Sequence, residues 1–166
     1  AFRRGDYAAA TRLLDGYDGM RGRGDLVFNL YVASLAVMRA EGRMNSPEFA
    51  ALVRRADAWV ASRPAAEAKL LETRFTRVEV SYLAGRYEEA MHLGQELLRD
   101  RPDDVRVQGF IGTVAARLGD RQLAEETIAR LRALDPRFRF GYPRFAEAKI
   151  AAVLGRHDEA MQLLRE

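Results

Sequence analysis

The chain has 166 residues and no cysteine, which excludes disulfides and thiolate metal sites while leaving enough length to bury a continuous core. Its 27 Lys and Arg face 24 Asp and Glu, a formal charge of +3. The acidic residues are spread among the basic ones, which argues for a solvated surface and against a nucleic-acid-binding stripe. Lysine occurs only at Lys69 and Lys149, and this Arg-rich, Ala-rich usage resembles that of a GC-rich bacterial genome. A cysteine-free chain fits the cytoplasm, which is the expectation, and fits the periplasm as well.

The first helical pattern covers residues 6–17. The Gly-rich stretch 16–25 that follows is not a phosphate loop, because no strand precedes it and no Gly-Lys-Ser or Gly-Lys-Thr closes it. Its Arg23-Gly24-Asp25 matches the integrin tripeptide in letters only, and Asp25 suits a helix cap. Residues 26–41 are helical in period and contain the longest apolar run, 30–38, which is far too short to span a bilayer. After a connection at 42–46, Ser46 caps a helix over 47–62 that has Pro47 at its first position and Glu48 in its first turn. An unusually long helix is expected over 65–84. Further helices follow at 86–100, 103–118, 120–134, 141–154 and 156–166, nine in all, and no strand pattern competes.

A repeat runs through this series. Gly85, Gly119 and Gly155, like Gly5, each sit between two helical stretches, spaced by 34 and then 36 residues. Five residues after each glycine comes an alanine: Ala10, Ala90, Ala124 and Ala160. Pro102 and Pro136 follow the second helix of two repeats, and Gly112 and Ala148 are small residues at matching places in the first helices. This pattern resembles the tetratricopeptide repeat, over residues 71–104, 105–137 and 141–166, with a degenerate hairpin before Pro64. The aromatic often found near the start of the first helix is missing from Arg74, Gln108 and Arg144; Phe75, Phe110 and Phe145 stand one or two places later.

The resemblance implies an all-α fold: one domain over 1–166, a right-handed superhelical stack of antiparallel hairpins, an α-solenoid. It also implies a binding scaffold for a protein or peptide. The chain is read as a fragment of a longer one, with Phe2, Leu13 and Leu14 at one end and Met161, Leu163 and Leu164 at the other as sites of weak self-association. In such a stack the first helices line the concave groove, and the residues expected there are Phe75, Glu79, Tyr82, Arg106, Phe110, Thr113, Arg117, Tyr142, Phe145 and Lys149. The basic members suggest an acidic segment as ligand. The segment 137–145, dense in Arg and aromatic side chains, either plugs the junction between hairpins or touches ligand. Two other readings stand beside the scaffold: a regulatory or assembly module of a larger bacterial protein, and a superhelix closed around a small or lipid-like molecule.

Catalytic chemistry has little footing. His92 and His157 fall in different repeats, and the acidic pairs Glu88-Glu89, Asp103-Asp104, Glu125-Glu126 and Asp158-Glu159 sit in the opening turns of expected helices, where negative charge complements the helix dipole. No enzyme activity, metal, cofactor, nucleic acid or membrane span is expected. The repeat phase is testable: Ala90→Arg or Ala124→Arg should lower the unfolding free energy by ~1–3 kcal/mol from overpacking alone, with the unpaired charge adding to it. Thermal melts that match the parent for both variants would put the alanines on the wrong face.

Overall fold

The computed structural model describes residues 24–134 and 141–165, with the side chains described from Tyr31 onward. Among the described residues the chain is all helix, with no strand: α1 (Gly24–Ala40), α2 (Pro47–Ala61), α3 (Ala65–Ala68), α4 (Leu71–Leu83), α5 (Tyr87–Asp100), α6 (Val105–Leu118), α7 (Arg121–Ala133), α8 (Tyr142–Val153) and α9 (His157–Leu163). The expected helix at 6–17 lies outside these residues, as does Pro136. The chain divides into two compact units, one ending at Gly85 and the other beginning at Arg86.

In the first unit α1, α2 and α4 pack against one another. Helical spacing selects the core: Tyr31, Leu35 and Met38 from α1, Phe49, Leu52 and Ala56 from α2, and Val80 and Leu83 from α4. Ser46 caps α2 as expected, its hydroxyl accepting from the Phe49 amide at 3.1 Å, with Pro47 opening the helix. Glu48 sits in that first turn, where its own backbone amide and then Ser46 hold its carboxyl below the ordinary range. Arg39 joins α1 to the end of α4 by donating to the Tyr82 and Leu83 carbonyls, both at 3.2 Å, a cation at a helix C-terminus.

The long helix expected over 65–84 is broken. Leu70 is extended, with φ −63° and ψ 142°, and separates the single turn of α3 from α4. No residue of α3 is buried, so no apolar face holds that turn in line with the helix after it.

In the second unit α6 is central and packs on α5, α7 and α8, while α8 also touches α7 and carries α9 on another side. Gly85, Gly119 and Gly155 are left-handed, with φ of 82°, 82° and 83°. Behind Gly119 the Asp120 amide donates to the Ala115 carbonyl, and behind Gly155 the Arg156 amide donates to Ala151, both at 2.9 Å. The end of α1 repeats the geometry at Gly42, where the Arg43 amide donates to Met38 at 2.9 Å. These are Schellman caps, and a left-handed residue closes them most cheaply when it is glycine. Ala90 and Ala124 are wholly buried and Ala160 nearly so, as the repeat phase requires.

Glycine has a second use in α6. A Cβ on Gly109 would lie 2.5 Å from the Cβ of Ala146 in α8, and one on Gly112 would lie 2.6 Å from Ile150 Cδ1 and 2.7 Å from Thr127 Cγ2. Gly109→Ala and Gly112→Ala should therefore each cost about 1–3 kcal/mol in urea unfolding, although alanine is the better helix former. Either variant proving as stable as the parent would mean that α6 and α8 are not in this close contact.

Candidate functional site

The ten residues expected on a binding groove fall in both units. Phe75, Glu79 and Tyr82 share one face of α4 in the first. Phe75 is 5% exposed and belongs to the core; Tyr82 is half-buried with the Arg39 guanidinium 5.2 Å from its ring centroid. The other seven lie on α6 and α8, and the packing of those helices brings members of both together. Lys149 Nζ sits 5.8 Å from the Phe110 ring centroid and 5.6 Å from that of Phe145, and Tyr142 meets Phe145 edge-on at 6.0 Å.

Burial sorts this cluster. Phe110 (5% exposed) and Thr113 (2%) are core residues and not groove residues, because α6 is covered by three helices. The Thr113 hydroxyl donates to the Gly109 carbonyl at 2.9 Å, within its own helix. Phe145 is 47% exposed, an unusual state for so large an apolar ring. Arg117 is exposed, and Arg106, Tyr142 and Lys149 are half-buried. The accessible part of the site is therefore Phe145 and Tyr142, with Lys149, Arg106 and Arg117 beside them. Of the segment 137–145, residues 137–140 lie outside the described residues.

Charge in the second unit is segregated by helix, which the composition of the whole chain conceals. Helices α6 and α8 carry Arg106, Arg117, Arg144 and Lys149 and a single carboxylate, Glu147, which is wholly buried. Helices α5 and α9 carry Glu88, Glu89, Glu96, Asp100, Asp158 and Glu159 against one arginine, Arg99. The exposed charge on α6 and α8 is thus positive throughout.

Glu147 leads to a feature that the sequence pattern does not reveal. It accepts from Arg132 of α7 and, at 3.3 Å, from Arg144 of α8. Arg132 also donates to Glu159 of α9 at 2.8 Å, and Arg156, just before α9, pairs with Glu125 of α7. Hydrogen bonding to Glu147 raises the Arg132 pKa above its usual value. Glu159 sits in the first turn of α9, as expected, and also reaches across to α7; Glu125, expected in the opening turn, lies one turn beyond the Asp120 cap of α7 and pairs between helices. Their spacing within one helix carries no signal for a partner two helices away.

His92 and His157 are exposed on α5 and α9, and among the described residues no cluster of His, Asp and Glu could hold a metal. An open depression of about 550 Å³ on α5, lined by His92, Gln95, Leu98 and Arg99, is not the sealed apolar cavity a lipid would need. No described helix is long and apolar enough to cross a membrane. Met161 and Leu164 are exposed as expected, but Leu163 is buried, packed with Ala148, Ala151 and Ala160; Phe2, Leu13 and Leu14 lie outside the described residues. Comparison of the chain with family models, curated proteins and solved structures returned no match.

The buried carboxylate can be tested. The Arg132 and Arg144 side chains are about half exposed and can return to water when Glu147 is lost. Glu147→Ala should then cost about 1–3 kcal/mol in urea unfolding, below the ~3–5 kcal/mol of a fully buried pair. Glu147→Met, which refills the space, should recover most of that. If Met proves as damaging as Ala, the charge itself stabilises the fold.

Proposed function

We propose that the chain is a protein-binding scaffold of the tetratricopeptide type, a right-handed superhelical stack of hairpins that performs no chemistry of its own. The recurring left-handed glycines, the buried alanines five residues after them and the contact of α6 with α8, two first helices of successive hairpins, support the repeat reading. The observation that carries the function is Phe145, a half-exposed ring on a face whose exposed charges are all basic. Its ligand is a peptide or protein segment that places an apolar side chain against Phe145 and carboxylates near Lys149, Arg106 and Arg117. The ring supplies desolvated contact area, and the basic residues set orientation and association rate.

The test uses a short synthetic peptide rich in Glu with one Phe anchor, and a control in which every Glu is Lys. Amide shifts of α6 and α8 should respond to the acidic peptide and not to the control. Phe145→Ala should weaken binding by more than about 1 kcal/mol without unfolding the chain. Arg117→Glu should slow association, most visibly at low salt. Phe110→Ala should instead act on stability, by ~3–5 kcal/mol. Unchanged affinity in Phe145→Ala would remove this face from the proposal.

A further inference from the structure

Residues 65–72 read Ala-Ala-Glu-Ala-Lys-Leu-Leu-Glu, all of them strong helix formers, yet the helix stops inside them. The break is confined to one torsion. Lys69 is helical, with φ −85° and ψ −13°, and Leu70 has a helical φ of −63° with an extended ψ of 142°. Hydrogen bonds run up to the break from both sides: the Leu70 amide donates to the Glu67 carbonyl and the Arg74 amide to the Leu70 carbonyl, both at 3.0 Å. Turning the Leu70 ψ to about −40° brings the Leu71, Glu72 and Thr73 amides to the carbonyls of Glu67, Ala68 and Lys69.

No apolar packing opposes that turn. Every residue from Pro64 to Leu70 is exposed, Leu70 at 56%, so the turn disrupts no buried contact. Nucleation is the costly step of helix formation, and α4 is already nucleated. Its start is also weakly closed: Ser46, Asp104 and Asp120 accept from the opening amides of α2, α6 and α7, whereas the N-cap of α4 is Leu70, with no side-chain acceptor to offer. Arg63 acts in the other direction. Its Nε donates to the Trp59 carbonyl at 3.3 Å and its guanidinium lies 4.4 Å from the Trp59 ring centroid, which keeps it on the end of α2. From there it pairs with Glu67 of α3 at 3.6 Å. Swinging α3 into line with α4 carries Glu67 away from Arg63. The two side chains are 24% and 50% exposed, so this tie is weak.

We propose that residues 65–83 form a two-state helix: a turn of ψ at Leu70 joins α3 to α4 as one continuous helix, and the Arg63–Glu67 pair holds the broken form. The two forms give the first unit different surfaces. The broken one projects Leu70 beside a bent connection, and the continuous one lengthens α4 by about 9 Å. A ligand that touches either surface shifts the ratio by its differential affinity. The inference does not depend on the proposed scaffold function.

Nuclear Overhauser contacts across the junction, measured on the whole chain, test it. A continuous helix puts the Lys69 Hα close to the Glu72 amide, and the broken form does not. The parent should show this contact weakly. Glu67→Gln keeps the helix propensity and removes the ion pair, so the contact should strengthen about twofold, the shift that an exposed pair of this kind supports. Leu71→Pro should abolish it, because proline suits the first helical position and holds the residue before it in the extended region that Leu70 already occupies. Leu71→Ala, which trims the same side chain without the ring, should keep it. Contacts among Tyr31, Leu35 and Val80 should be unchanged throughout. The inference is overturned if the contact is absent from both the parent and Glu67→Gln, which makes the break permanent. It is equally overturned if the parent contact is as strong as those inside α4, if Leu71→Pro retains it, or if Leu71→Pro unfolds the first unit while Leu71→Ala does not.

Discussion

The second unit depends on how closely α6 can approach its neighbours. Gly109 lets the α6 backbone come up to Ala146, and Gly112 leaves room for Ile150 and Thr127. Interiors pack at near-crystalline density, so one methyl at either place would push helices apart along their length. The same approach puts Phe110 under Lys149 and leaves Phe145 at the edge of the contact, half in solvent.

Helix α6 shows the cost of a central position. Its residues from Gly109 to Ala115 are all buried, and it contributes no carboxylate and no buried charge. Its own charges, Arg106 and Arg117, lie outside that buried run, and arginine meets glutamate from different helices on the helices around it. The Glu147 group ties α7 to α8, and Glu159 and Arg156 extend the tie to α9. Such pairs contribute modest stability where exposed.

The first unit uses a different device for the same purpose. The Arg39 guanidinium spans from α1 to the last carbonyls of α4 and stacks on Tyr82, fixing a helix end that no side chain of its own caps. Its hairpin from α1 to α2 begins with the same Schellman cap as those at Gly119 and Gly155. The longer connection after Gly42 ends in the Ser46 cap, so the extra residues change the loop and not the way either helix terminates.

Much of the helical architecture was legible in the chain. Left-handed glycine, buried alanine, the cap at Ser46 and the period of Tyr31, Leu35 and Met38 are local or nearly local requirements, and each leaves a residue type at a set spacing; Asp103 and Asp104, expected inside the helix, precede it, with Asp104 as its cap. The break at Leu70 was not legible, because an apolar period does not say whether a neighbour exists to bury it. The site was read only in part. The alignment of Phe75, Phe110 and Phe145 at equal spacing is a property of the sequence, yet Phe75 and Phe110 are buried and Phe145 is 47% exposed, a difference that packing between helices decides. Glu147 beside Arg132, and Arg156 beside Glu125, were likewise decided by tertiary structure alone. Spacing along one helix sets which residues share a face; what covers that face, and which charge meets which, depends on the other helices.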